Sequence, residues 1–432
     1  MNASSFLTLL VLSCCYPLES LLSSDEPPEV DVLQYQVFLE PNFADQSISG
    51  HVRITYQIAL EAESVSFDSG DLLVTKAKGD HIMGFRQEGK QTIISLSPDA
   101  PPLQEIELWY QGKPKRGLVF PKEQQLYSLY FTSDWMVCNF SPVDRAKLEL
   151  TLLLPEGLTC VASGELQESA TQEDHIRYVW RQDYETPAYT YGFAIGAFES
   201  WEIMQDRTKM VFYTDHYCPE DIETIFQTSG EMLDFFEEIS GIPYPQSSYS
   251  QVLIGDHYQE MSGFAVLKHS YGYHLLLDST ETHLLSHELA HQWWGNRITC
   301  RNWQHFWLNE GFATFMSAAF NERHFGAAQY QKDIAAYRGV YEAIQAKGAD
   351  KPLVFPNWNN PSRDDRNLVY FKGAYVLHLL RKEMGEEAFW QGIKEYSQTY
   401  LGQSVTTADF QKAMEQAADR SLVPFFERWV YE

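Results

Sequence analysis

His287 and His291 stand four positions apart in the run His-Glu-Leu-Ala-His, and a further carboxylate, Glu310, follows inside Trp-Leu-Asn-Glu-Gly. Positions i and i+4 of a helix stack on one face, so both imidazoles can reach a single ion. Three protein ligands with a fourth position left to water make a catalytic zinc site, whereas a structural site is closed by four. Glu288 projects from the same helix beside the first ligand, where it can act as base toward that water. The bland reading is two histidines on an ordinary amphipathic helix, and the flanks weigh against it. Ser279 and Thr280 suit an N-cap, a helix can run through Trp294, and Gly295-Asn296 supply a stop. A second helical stretch carries Glu310 with Phe312, Phe315, Met316 and Phe320 on its apolar side. Two helices giving ligands to one Zn2+ per chain, with hydrolysis as the chemistry, is the expectation.

The elements that must hold these residues change character along the chain. From about Leu33 to Phe198 the apolar period is two: Val52, Ile54, Tyr56 and Ile58 alternate with polar residues, as do Ile106, Leu108 and Tyr110, then Leu148, Leu150, Leu152 and Leu154. Past Trp201 the period moves toward 3.6. The expected helices run from Ile222 to Ile239, stopped by Gly241-Ile242-Pro243, and then near 327–345, 367–384, 386–400 and 407–418. Short strands are expected at Ser250–Ile254 and Phe264–Leu267, and a loop at Pro352–Pro361. This predicts a multidomain α+β chain with a leader at 1–24, an antiparallel β domain at 25–201 and a mainly helical domain at 202–432 carrying the chemistry.

The chain has 432 residues, 44% of them apolar and 14% aromatic, enough to bury a large core. Its 59 acidic against 32 basic residues give a net charge of −27, which argues against a nucleic-acid partner. Phe6 to Cys15 is apolar but too short to span a bilayer, and small residues Ser23 and Ser24 follow it, as in a secretory signal. Val11-Leu12-Ser13-Cys14 offers the alternative of a lipoprotein site with Cys14 lipidated. No Lys or Arg precedes Arg53, which leaves a cytoplasmic chain as the rival to a periplasmic, secreted or surface-anchored one. No later stretch is long and apolar enough for a transmembrane helix. Cys138, Cys160, Cys218 and Cys300 fit no zinc-cluster spacing and read most simply as buried free thiols.

With those residues set out, the chain resembles the zinc aminopeptidases of the aminopeptidase N and leukotriene hydrolase family, the gluzincins. The match is dense in His-Glu-Leu-Ala-His-Gln-Trp-Trp-Gly-Asn, in Trp303 and in Trp307 to Ala313. Tyr370-Phe371-Lys372-Gly373-Ala374 is similar to the family's Tyr-x-Lys-Gly-Ala segment, and Thr186-Pro187, Tyr191, Gly196 and Phe198 to the end of its saddle-shaped β domain. The resemblance implies a β saddle packed on a thermolysin-like catalytic domain, with peptides as substrates. It implies His287, His291 and Glu310 as zinc ligands, Glu288 as general base and Tyr370 as the stabiliser of the oxyanion; from periodicity alone Tyr370 would be a core aromatic. The chain reads as a short form without the family's further C-terminal domains, which should leave the cleft more open.

Departures bear on substrate recognition. The family reads the substrate amine with Gly-x-Met-Glu-Asn, and here the stretch is Tyr258-Gln259-Glu260-Met261-Ser262-Gly263. Aligned on Met261, Ser262 falls where the glutamate belongs and Gly263 where the asparagine belongs. Glu260 lies two residues earlier, on the same strand face but shifted by ~7 Å. Glu260, Met261, Ser262 and Gly263 are thus the candidate substrate-binding residues, with an ordinary surface acid as the other reading of Glu260. No counterpart of the family's amine-binding glutamine stands out near Thr132-Ser133-Asp134-Trp135, and Ser317 replaces an acidic residue of many relatives. Two rivals to an aminopeptidase follow: an endopeptidase, dipeptide-releasing enzyme, or ester or epoxide hydrolase of the same fold, and a non-catalytic peptide-binding relative. Oligomeric state is open.

Overall fold

The computed structural model describes residues 30–432 other than 60–61, 356–357 and 359–360. The expected leader at 1–24 and Cys14 therefore lie outside the described residues, as does part of the loop expected at Pro352–Pro361.

The alternating segments become strands with one face inward. Val52, Ile54 and Tyr56 are buried on strand Ser47–Ile58, and Leu148, Leu150, Leu152 and Leu154 on strand Ala146–Pro155. These belong to a seven-stranded sheet, ordered Glu165–Gln172, His175–Thr186, Ala146–Pro155, Val30–Asn42, Ser47–Ile58, Leu103–Gly112 and Leu73–Lys78. Its pairings are antiparallel with one departure from the expected pattern: Val30–Asn42 runs parallel to Ala146–Pro155, with Val37 opposite Leu150. Parallel neighbours need a long connection, and here all the intervening strands supply it. A three-stranded and a four-stranded sheet complete the β domain.

Strand Phe193–Gly196 lies within the four-stranded sheet, and the next, Glu199–Gln205, already belongs to a separate five-stranded sheet. The sheets change between Gly196 and Glu199, whereas the division expected at 201 falls inside that strand. This five-stranded sheet runs Glu199–Gln205, Thr208–Thr214, Ser248–Leu253, Phe264–Leu267 and, at its edge, the short antiparallel strand Gln259–Met261.

Helices follow the expected periodicity with local corrections. The segment from Ile222 to Ile239 is two helices, Pro219–Phe226 and Ser229–Ser240, the second ending on left-handed Gly241. It restarts at Ser229-Gly230, where the Gln205 side chain of strand Glu199–Gln205 lies close, its Oε1 2.4 Å from where a Cβ on Gly230 would stand. The metal-motif helix is shorter than expected: it spans His283–Ala290 behind Thr282, while Thr280 turns back to bond Asp278. Trp307–Phe325, Ala327–Ala346, Glu386–Thr399 and Thr407–Ala418 match the expected helices closely. The stretch expected at 367–384 contains a π-helical turn, Leu368–Lys372, before helix Gly373–Met384. Among the described residues no helix is long and apolar enough to cross a membrane. The four described cysteines are free; Cys138, Cys160 and Cys300 are buried, and Cys218 is exposed, contrary to expectation.

One apolar core runs from the β strands into the helices, and polar contacts register the two parts. Arg145, at the start of a β-domain strand, donates to Thr299 Oγ1 at 2.9 Å and to the carbonyls of Asn296 and Arg297 at 3.0 and 3.1 Å, just beyond the metal-motif helix. Burial draws its pKa down to about 10, which still leaves it charged at neutral pH. Hydrogen bonds to a charged group contribute ~1.5–3 kcal/mol, so Arg145→Ala should destabilise the chain by about 3 kcal/mol, read as a lower melting temperature. A lysine, lacking the guanidinium fork, should restore little. An alanine variant melting with its parent would show that this bond set does not hold the two parts together.

Candidate active site

The helix His283–Ala290 and the turn after it carry His287, Glu288 and His291; helix Trp307–Phe325 packs against it and carries Glu310 in its first turn. Nε2 of His287 and Nε2 of His291 are 3.1 Å apart, and Oε2 of Glu310 lies 3.3 and 3.5 Å from them. Donors held about 2.0–2.1 Å from a tetrahedral ion stand about 3.3 Å from one another, so this triangle has the edges of a zinc face. Two further observations agree. Two ring nitrogens facing each other need a shared cation or proton between them. Oε2 of Glu310 is buried with no conventional hydrogen bond, a costly state for a carboxylate unless a cation stands there. The residues present fit a divalent ion.

Outer contacts orient the rings. Nδ1 of His291 bonds the carbonyl of Trp294 at 3.0 Å, and Thr314 Oγ1 lies 3.5 Å from Nδ1 of His287 while donating to the carbonyl of Glu310 at 2.7 Å. Such partners fix a ligand's tautomer and direction. Gly295 has φ +132, and a Cβ there would lie 2.7 Å from Nδ1 of His291, so the turn behind this ligand admits only glycine. Ser317 is buried and bonds the carbonyls of His283 and Ala313. The outer acid expected from relatives is thus replaced by hydroxyls.

Tyr370 rides on the π-helical turn, its ring parallel to that of His287 with centroids 5.9 Å apart. Such single π turns recur at functional sites. The turn approaches the Glu310 helix through two glycines: a Cβ on Gly311 would lie 3.0 Å from Gly373 Cα and 3.1 Å from the carbonyl oxygen of Val369. Lys372 is buried, bonding Asp350 Oδ1 and the carbonyl of Lys351, so its role in this fold is to fasten that turn.

Glu260 stands with the cluster: oxygens of Glu260 and Glu288 and a ring nitrogen of His291 lie within 4.8 Å of one another. The three residues that follow it are otherwise engaged. The Met261 side chain is buried with Tyr127, Val252 and Phe264, Ser262 bonds the Tyr184 hydroxyl at 2.9 Å, and Gly263 makes a tight turn at φ +90. Of the four residues expected to read substrate, only Glu260 joins the metal-ligand group. Gln292, unremarked in the sequence, secures this strand to the metal helix, donating to the carbonyl of Met261 and accepting from the N–H of Gly263, both at 2.9 Å.

Burial and mutual charge both act on the titratable groups of the site. Burial pushes the Glu288 carboxyl well above its ordinary range and Glu260 up to about 7, His291 pulling both back. Burial lowers His287 to about 4. For His291 burial acts downward too, but the carboxylates of Glu310, Glu260 and Glu288 outweigh it and hold the ring at about 10. Burial would raise Glu310, yet the two histidines bring it to about 2. The same negative surroundings that raise His291 favour a cation at this point.

A β saddle with a helical domain bearing His-Glu-x-x-His and a distant glutamate defines the two-domain metallopeptidase architecture. The fold matches an M1 zinc metallopeptidase from Deinococcus radiodurans with a TM-score of 0.76 over 94% of each chain at 21% identity. Residues 224–429 match the Peptidase family M1 domain, the family that the sequence resembles. Leucyl aminopeptidase of Saccharolobus solfataricus is 24% identical over 430 residues, covering 93% of this chain and 53% of that protein. Leukotriene A-4 hydrolase of Xenopus laevis is 24% identical over 338 residues, covering 75% and 54%. The chain spans about half the length of these relatives.

Chain stripped with a chelator should gain thermal stability on adding zinc, by about 4 kcal/mol at a thousandfold excess over Kd. Calorimetry in buffers of differing ionisation enthalpy should show protons released on zinc binding at neutral pH, from His291 and from the raised carboxyls beside it, so affinity falls as pH falls. Glu310→Gln should lose most of the gain. A melting curve indifferent to zinc would remove the metal site.

Proposed function

We propose that this chain is a zinc-dependent aminopeptidase, holding one zinc ion through His287, His291 and Glu310 and cleaving peptide bonds beside a free amino terminus. The carboxylate of Glu260, grouped with Glu288 and His291, carries the reading. With a dication at the histidines, the carboxylates of Glu260, Glu288 and Glu310 leave an excess negative charge in a poorly solvated cleft. A substrate ammonium cancels it, because opposite charges interact strongly at short range where water is scarce. The aminopeptidase names of several relatives support the same reading.

Zinc, when bound, supplies Lewis acidity that polarises a scissile carbonyl and draws the pKa of its water toward neutrality. Glu288, buried with one oxygen free of hydrogen bonds among the described residues, accepts a proton from the attacking water and passes it to the leaving amine. The Tyr370 hydroxyl donates a hydrogen bond to the developing oxyanion. Glu260 holds the amino terminus, which sets the register of the chain in the cleft. The apolar run Phe6–Cys15 supports action outside the cytoplasm.

A hydrolase of the same fold without an amine requirement is the second reading, favoured by Ser262 standing in the glutamate's place and by the leukotriene hydrolase relative. A peptide with a free amine should be cleaved much faster than its N-acetylated form; equal rates would make the second reading the right one. Glu288→Gln should lower kcat by about 10²–10⁴ with zinc content unchanged. Tyr370→Phe should lower it by about 10²–10³. Turnover surviving in the Glu288 variant would overturn the proton-transfer scheme.

A further inference from the structure

Gln259 precedes Glu260 on the edge strand, is 3% exposed, and has both ends of its amide engaged. Its Oε1 accepts from the main-chain N–H of Tyr130, in the β domain, at 3.0 Å. Its Nε2 donates to Oε2 of Glu260 at 2.6 Å and lies 3.4 Å from the carbonyl of the same residue. A main-chain N–H can only donate, so the amide has one orientation: oxygen toward Tyr130, nitrogen toward Glu260. Successive side chains on a strand normally point to opposite faces. A bond between the side chains at 259 and 260 is therefore a specific local arrangement, on a strand only three residues long.

We infer that Gln259 is a positioning residue for the substrate amine: it holds one oxygen of Glu260 and leaves the other for the ammonium. The inference rests on the reading of Glu260 as amine anchor. Three observations favour it. Gln259 is neutral, so it aims the carboxylate without cancelling the charge that a substrate must meet; a lysine or arginine there would do both. Its far end is fixed to a rigid reference, since the Tyr130 ring lies 5.5 Å from those of both Tyr189 and Trp303. The strand is also secured by Gln292, in the turn after the metal helix. The distance between anchor and metal is thus set by two amides, one of them reaching into the β domain. A glutamine supplied within the strand here orients the anchor.

The test is a mutant cycle read by steady-state kinetics on a panel of amino-acid p-nitroanilides, with zinc content and melting temperature measured beside it. Gln259→Glu keeps an acceptor for the Tyr130 N–H but offers Glu260 no donor; Gln259→Met offers neither. Both should raise KM by about 10- to 100-fold, the range of a hydrogen bond to a charged group, with kcat and zinc content little changed. In a Glu260→Gln background neither should add anything further. If Gln259→Glu matches the parent while Gln259→Met does not, the amide is only a tie between domains and the inference is overturned. If Glu260→Gln raises KM and no change at 259 does, the inference falls while the anchor stands. If Glu260→Gln itself leaves KM unchanged, the anchor reading fails and takes the role of Gln259 with it. Should Gln259→Glu not fold, the cycle with Gln259→Met decides the same coupling.

Discussion

Three carboxylates and two imidazoles converge in a space almost closed to solvent, and the fold is organised around making that assembly tolerable. Taking charged groups out of water costs several kcal/mol each unless partners replace the lost solvation. Here the partners are the groups themselves, drawn into a triangle of 3.1, 3.3 and 3.5 Å edges. A cation is the natural occupant of such a triangle. Every feature around it acts to keep those edges short: the i, i+4 spacing, the carbonyl of Trp294 behind one ring, the Thr314 hydroxyl beside the other, and glycine at 295.

In the proposed reading, Glu260 keeps a carboxylate available to a substrate amine despite a change of sequence. The carboxylate is displaced along its strand relative to the family pattern, and Ser262, in the glutamate's place, bonds Tyr184 of the β domain. A two-residue displacement preserves the strand face, so the charge remains in the cleft. The β domain helps define the cleft through backbone and aromatic contacts: the N–H of Tyr130, the hydroxyl of Tyr189 bonding the carbonyl of Gly295, and the guanidinium of Arg145. These bonds reach the turn after the metal helix and the strand that carries Glu260, so both parts of the chain support the site.

Legibility varied with the range of the interaction. Alternation located the β domain, and near-3.6 periodicity located the helices to within a few residues, because both report which face of a local element is apolar. Helix ends were read less well. Thr282 opens the metal-motif helix in preference to Ser279 or Thr280, and the segment from Ile222 to Ile239 divides into two helices. The parallel pairing of Val30–Asn42 with Ala146–Pro155, and the π turn under Tyr370, left no trace in periodicity. Neither did the exposure of Cys218.

The sequence by itself determined the identities that chemistry requires: two imidazoles at helical spacing, a carboxylate between them, and a second helix bearing another. Those are local facts, since the rise and turn of a helix convert spacing directly into a shared face. What only the tertiary structure decided is which distant groups meet them. Glu260 joins the cluster because an edge strand is clamped by Gln292 and Gln259. Tyr370 lies against His287 because two glycines let one helix and a π turn come within backbone contact. Neither outcome is encoded in a period or a motif, because each depends on packing between segments far apart in the chain.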